Sequence, residues 1–204
     1  MLILREVLGY SAAEVAELLD STVASVNSAM QRARAAVDAR LPDPSQQETL
    51  RALGDRKITA LVDRYVKAWE SNDVDTVVAM LTEDAAISMP PLASWFGPRD
   101  VMATFLAAFP MSGSWRWKAV RTTANAQPAL GFYAWDEATG AYEAFALNVL
   151  SLRGDKVKDV TAFMVRTTEL EHDAQFHRWV DYEVDPERLE LVFRRFGLPD
   201  SLPG

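Results

Sequence analysis

The chain has 204 residues and a formal net charge of -8, with 49% apolar and 25% charged residues. That is globular composition: it excludes wholesale disorder and allows one large domain or two small ones. Cysteine is absent and there are only two histidines, which excludes a disulfide framework, a thiol nucleophile and a thiolate or multi-histidine metal site. So acidic a chain is a poor non-specific binder of polyanions, and any nucleic-acid contact must be local.

Met1 to Leu41 reads as all helix, with no proline and only Gly9 as glycine. It lacks a basic start followed by a long apolar run, so it is not a secretory signal. No other stretch is apolar enough to span a bilayer. A soluble cytoplasmic protein with no membrane contact is expected. Ser11-Ala12-Ala13-Glu14 has capping-box spacing and starts a helix running to about Leu19. Asp20-Ser21-Thr22 is a turn, and a second helix runs from Val23 to about Arg40. Ala16 and Leu19 are expected to pack on Val23, Val26 and Met30. Residues 42–55, opening Pro42-Asp43-Pro44, read as a linker.

Ile58 to Trp69 carries one apolar helical face, and Val74 to Leu81 is a second, short helix. Ala85 to Met89 is a strand stopped by Pro90-Pro91. Arg99 to Phe109 is a helix between Pro98 and Pro110. Four strands follow, over 114–123, 129–136, 142–153 and 156–167, the last two joined by a turn at Gly154-Asp155. A final helix is capped by Asp185, with Pro186 at its first position and Gly197 at its end. Helices followed by an antiparallel meander predict an α+β fold.

The second helix exposes Ser25, Asn27, Ser28, Gln31, Arg32 and Arg34, groups suited to base edges and phosphates. By spacing alone, a helix-turn-helix and a solvated helical hairpin are both open. The stretch Leu2 to Leu19 resembles region four of extracytoplasmic-function sigma factors of the sigma-70 family. Thr22 to Arg34, ending Arg-Ala-Arg, resembles that family's recognition helix. The resemblance implies contacts with promoter −35 DNA by Thr22, Ala24, Ser25, Asn27, Ser28, Gln31 and Arg32, and RNA polymerase core as a partner. Asn27 and Ala29 stand where the family often has a basic residue, so weaker phosphate attraction is expected. Region two and the start of region four lack counterparts in the sequence; the expectation is a fragment of a longer sigma factor.

A helical layer on a strongly curved sheet makes a cone whose apolar interior is a default ligand site. The aromatic supply exceeds what a compact core of this size requires. The candidate pocket residues are Tyr65, Trp69, Met89, Trp95, Phe105, Trp117, Phe132, Phe145 and Phe163, and the expected ligand is a small hydrophobic molecule. For each ring taken singly, core packing is the simpler reading. Tyr65 to Asp73, Leu81 to Ala85 and Trp95 to Val101 resemble the SnoaL-like branch of the nuclear-transport-factor-2-like superfamily. That branch implies a cone over residues 56–168 that pairs through its exposed sheet face, giving a possible homodimer. Region four followed by such a domain, with a closing Arg194-Arg195-Phe196-Gly197-Leu198-Pro199, resembles one group of extracytoplasmic-function sigma factors. In that group the added domain is thought to regulate the sigma factor.

The alternative is a cyclase- or isomerase-type enzyme with a vestigial helix-turn-helix. It needs a carboxylate base and an oxyanion partner facing the cavity. Glu83, Asp84, Asp159, Tyr65 and Tyr133 are the available types. Asp84 reads more simply as a surface turn residue, and Asp159 points inward or outward depending on register. No catalytic residue, metal or cofactor is therefore assigned. His172 and His177 are five apart, wrong for one helical face. Residues 169–204 form an acidic tail with a final helix; Glu169, Glu171, Asp173, Asp181, Glu183 and Asp185 either solvate a surface or compete with DNA for the basic helix.

Overall fold

A computed structural model describes residues 1–39, 44–166 and 184–204. The chain divides into two compact units, residues 1–45 and 46–204.

The first unit opens with a wide π-type turn over Ile3–Val7. The chain leaves this turn at Gly9, ahead of the helix expected to start at Ser11; φ there is +73°, a left-handed conformation that glycine adopts without steric cost. Arg5 Nη1 spans this break and donates to the Tyr10 carbonyl at 2.7 Å. Helix α1 covers Ala12–Leu18 and α2 covers Val23–Asp38. Ser11 and Glu14 form a reciprocal capping box, with bonds of 3.2 and 2.7 Å. Thr22 Oγ1 caps α2 by accepting from the Ser25 amide at 3.1 Å. Each cap satisfies amides that the first helical turn leaves without partners.

Val15, Ala16, Val26 and Met30 are the buried core of this unit, with Met1, Leu2, Leu4 and Ala12 against it. Two expected core members are not there: Leu19 is 45% exposed and Val23 is 44% exposed. Both lie at the turn, Leu19 as the C-terminal cap of α1 and Val23 as the first residue of α2.

In the second unit, α3 covers Gln46–Leu53, inside the stretch expected to be linker. Leu50 and Leu53, three apart on one face, pack against the main core. Gly54 separates α3 from α4 (Asp55–Glu70) with φ +78°. Then come α5 (Val74–Ala79), β1 (Leu81–Ser88), β2 (Trp95–Phe96), α6 (Arg99–Ala108), β3 (Trp117–Ala124), β4 (Gln127–Asp136), β5 (Ala141–Arg153) and β6 (Lys156–Met164). After the undescribed stretch come α7 (Pro186–Val192), a 3₁₀ turn over Arg194–Phe196, and β7 (Ser201–Pro203).

The seven strands form one sheet in the order β2-β1-β6-β5-β4-β3, with β7 paired to β5. The sheet is not a pure antiparallel meander, because β1 runs parallel to β6, from Leu81 opposite Val157 to Ser88 opposite Thr161. A bulge at Phe145 shifts the β4–β5 register: Phe132 faces Ala146, while Tyr133 faces Ala144. Bulges bend a strand and increase its twist, and here both Phe145 and Ala146 belong to the cone core.

Helices α4, α5 and α6 close one face of the sheet around a core that includes Tyr65, Trp69, Leu81, Met102, Leu106, Phe132 and Leu150. The other face is covered by the C-terminal segment. Leu189, Val192, Phe193 and Leu198 pack there on Tyr133, Leu147 and Val149. Tyr133 Oη donates to the Pro199 carbonyl at 2.9 Å, and Thr122 Oγ1 donates to the Phe196 carbonyl at 2.9 Å. The sheet face expected to pair two copies is thus occupied by the chain's own C-terminal residues. None of the described helices is long and apolar enough to cross a membrane.

Candidate functional site

All seven residues expected to read DNA are exposed: Thr22, Ala24, Ser25, Asn27, Ser28, Gln31 and Arg32. They occupy the N-terminal cap and first ten residues of α2, opposite the buried Val26 and Met30. The electrostatics are lean. Residues 1–39 carry three arginines against five carboxylates. Arg34 is ion-paired with Glu6, and Arg5 is held by the Tyr10 carbonyl. Arg32 therefore carries the exposed positive charge of the α2 face. The Thr22 hydroxyl is already engaged in capping the helix.

The cone interior is nearly filled. Its cavity is about 30 Å³, which holds roughly one or two water molecules. Of the nine candidate pocket residues, Trp69, Met89, Phe105, Trp117, Phe132 and Phe145 line it. Tyr65 is fully buried in the same core behind that lining. Trp95 does not line it: it is 67% exposed on edge strand β2, while Phe96 turns inward to stack on Phe105 at 4.0 Å. Phe163 is also absent from the cavity and packs on the opposite sheet face beneath the C-terminal segment. Alternation along β6 explains this, because Ala162 and Met164 take the cone side.

The aromatic surplus goes into ring-to-ring packing. Trp115 stacks on Trp117 at 5.4 Å, and Trp69 lies 4.8 Å from Phe132. Trp117 Nε1 donates to the Pro110 carbonyl at 2.6 Å. No local signal singles out Asn148, the one amide side chain in the lining. It is 4% exposed, and its Oδ1 has no hydrogen-bond partner. An orphaned buried acceptor costs about 1–3 kcal/mol. A water in the cavity would relieve that cost.

Among the described residues, no ionisable group lines this cavity. Asp84 lies outside it, accepting from Arg153 Nη1 at 2.9 and 3.1 Å. The Thr82 hydroxyl, then the Arg153 guanidinium and the Lys158 ammonium, hold its carboxyl below the usual carboxylate range. Asp159 is paired with Lys158 Nζ at 3.1 Å. Glu83 is exposed. The Tyr133 hydroxyl lies under the C-terminal segment. Burial pushes the Tyr65 and Tyr133 phenols up, away from ionisation. The two carboxylates weighed as bases, Asp84 and Asp159, are thus engaged in a surface charge network. His172, His177 and the acidic residues from Glu169 to Glu183 lie outside the described residues; Asp185 is described, and it caps α7.

Residues 1–37 match the family described as sigma-70, region 4, and residues 62–160 match the SnoaL-like domain family. Across 203 residues the chain is 30% identical to the ECF RNA polymerase sigma factor SigG of Mycobacterium tuberculosis, in strains CDC 1551 and H37Rv. The chain thus carries a match to sigma-70 region 4 followed by a match to the SnoaL-like domain family, and along its length it is similar to an ECF sigma factor. The match covers 99% of this chain and 47% of each relative, so the chain spans about half the length of the curated relatives it matches.

Solved structures resemble the SnoaL-like fold at low identity. An LEH-like epoxide hydrolase of M. tuberculosis is 16% identical, over 53% of this chain and 83% of that one, with a TM-score of 0.43. An NTF2-like protein of Mesorhizobium loti is 14% identical, over 54% and 94%, with a TM-score of 0.46. A SnoaL-like protein of Burkholderia thailandensis is 16% identical, over 53% and 95%, with a TM-score of 0.43. Likeness at this level carries no argument about activity.

Proposed function

We propose that region 4 of this chain recognises promoter −35 DNA and engages RNA polymerase core in the cytoplasm, and that the SnoaL-like domain regulates that activity. The carrying observation is the exposed polar face of α2, held by two side-chain caps inside a segment that matches region 4. Residues 1–41 serve as the DNA-reading segment, with Thr22, Ala24, Ser25, Asn27, Ser28, Gln31 and Arg32 as its contacts. Short polar side chains read base edges, and Arg32 supplies a phosphate or guanine contact.

The nearly filled cone supports regulation through the domain's surfaces. A hydrophobic ligand of ordinary size would first have to displace rings such as Phe105. The covered outer sheet face likewise supports a domain that does not pair there. A cyclase or isomerase reading is disfavoured by the outward placement of Asp84 and Asp159.

The test is selection of duplexes bound by the chain from a random pool. An enriched hexamer whose binding is weakened by Arg32→Ala and by Gln31→Ala supports the reading. A pool that stays random overturns it.

A further inference from the structure

A second charged surface lies outside both places already described. A groove of about 370 Å³ runs between α4, the end of α5 and the β5–β6 turn. Its rim carries Lys57 and Arg64 from α4 and Lys156 from the turn, against one carboxylate, Asp155. Lys57 and Arg64 are seven apart, two turns along one helical face. Leu61 and Met80 contribute an apolar floor.

The cations are available to a ligand. Elsewhere in the described residues, Arg34, Arg116, Arg121, Arg153, Lys158 and Arg194 are all ion-paired. Among the described residues, Lys57, Arg64 and Lys156 make no ion pair or side-chain hydrogen bond, and only Asp73 acts on Arg64 from outside the groove, although the chain as a whole is strongly acidic. Three cations on one groove, against Asp155 in the lining and Asp73 beside Arg64, leave an excess positive charge that favours an anion. The groove lies in the size range of small-ligand sites, and its apolar floor suits the non-phosphate part of such a ligand.

We propose that this groove binds a small phosphorylated molecule of the nucleotide class, phosphates on Lys57, Arg64 and Lys156 and the apolar portion over Leu61 and Met80. The proposal is independent of DNA recognition by region 4.

The test is calorimetric titration of the full chain with ATP, inorganic phosphate and a random-sequence DNA duplex. It is repeated on Lys57→Glu/Arg64→Glu/Lys156→Glu and on the charge-keeping Lys57→Arg/Arg64→Lys/Lys156→Arg. Circular dichroism checks that each variant is folded. The expected result is saturable ATP binding, weaker phosphate binding, at least a tenfold loss in the charge-reversed chain, and retention in the charge-keeping one. Absence of ATP binding overturns the proposal, as does ATP binding that survives charge reversal. Charge-dependent binding of the duplex without ATP binding also overturns it and assigns the groove to the nucleic-acid backbone.

Discussion

Leu198 lies directly over Gly131: a β-carbon on Gly131 would come within 2.7 Å of Leu198 Cδ1. Both positions are buried, one in the middle of β4 and the other in the C-terminal segment. Gly131→Ala is expected to destabilise the domain by about 1 kcal/mol, the low end for overpacking, because only the tip of a leucine must move. Thermal melting measures it. In the double variant with Leu198→Ala, the two losses should sum to less than their separate values; strict additivity would mean that the contact does not couple them.

Glu6 restrains Arg34, whereas Arg32 is exposed and makes no ion pair among the described residues. Arg32→Ala should weaken duplex binding and reduce the slope of log K against log salt by roughly 1. Arg34→Ala should do less. Glu6→Ala removes a negative charge and releases Arg34, so binding at low salt should tighten. Fluorescence anisotropy across a salt series reads all three, and an unaltered slope in Arg32→Ala would contradict its phosphate or base contact.

The hydroxyl of Thr22 holds the start of α2. Thr22→Ala should cost about 1 kcal/mol of helix stability, and Thr22→Ser should restore most of it. Hydrogen exchange at the first amides of α2 tests this. Equal protection in the alanine and wild-type chains would show that the cap contributes nothing.

Asp200 is paired with Arg194 at 2.6 Å in the C-terminal segment, and that guanidinium lowers its carboxyl below the usual range. A lowered carboxylate contributes stability that is complete above its unfolded value of about 3.9 and is lost as pH falls through the folded value. The segment's hold should therefore weaken in acid, below about pH 4. Asp200→Asn should flatten that part of the stability profile; an unchanged acid limb would remove the pair from the account.

Asn148→Leu replaces an unsatisfied amide with an apolar side chain of similar size. Substituting an apolar group for an unpaired buried polar one is close to neutral or stabilising. The melting temperature should hold or rise. A clear fall would mean that Asn148 bonds an internal water strongly enough to stabilise the cone.

The parts legible in the sequence are those set by short-range chemistry. The capping box at Ser11 and the apolar spacing of Val26 and Met30 are each visible in a window of a dozen, whereas Thr22 reads only as part of a turn and its cap emerges in the structure. The exposed face of α2 follows from the same spacing. What was missed depends on partners far away. Strands β2 and β7 have two and three residues, too few for any alternation to register. Helix α3 sits just after Pro42 and Pro44, whose linker character masked the Leu50–Leu53 pair. Trp95 and Phe163 went to the wrong place through parity: in each case a neighbour one residue away faces the cone, and composition cannot say which of two adjacent apolar residues does. Asn148 was invisible because nothing local distinguishes a buried amide from an exposed one.

The parallel pairing of β1 with β6 has a consequence for how the protein is made. Leu81 waits for Val157, and β5 waits for Ser201 to Pro203, so the sheet is sealed only when nearly the whole domain has been synthesised. The helix-turn-helix depends on contacts within its first 39 residues and can fold long before. At a synthesis rate of about 5–20 residues per second, the helix-turn-helix precedes completion of the sheet by several seconds or more. Each new chain therefore passes through an interval in which the helix-turn-helix is folded and the sheet is not.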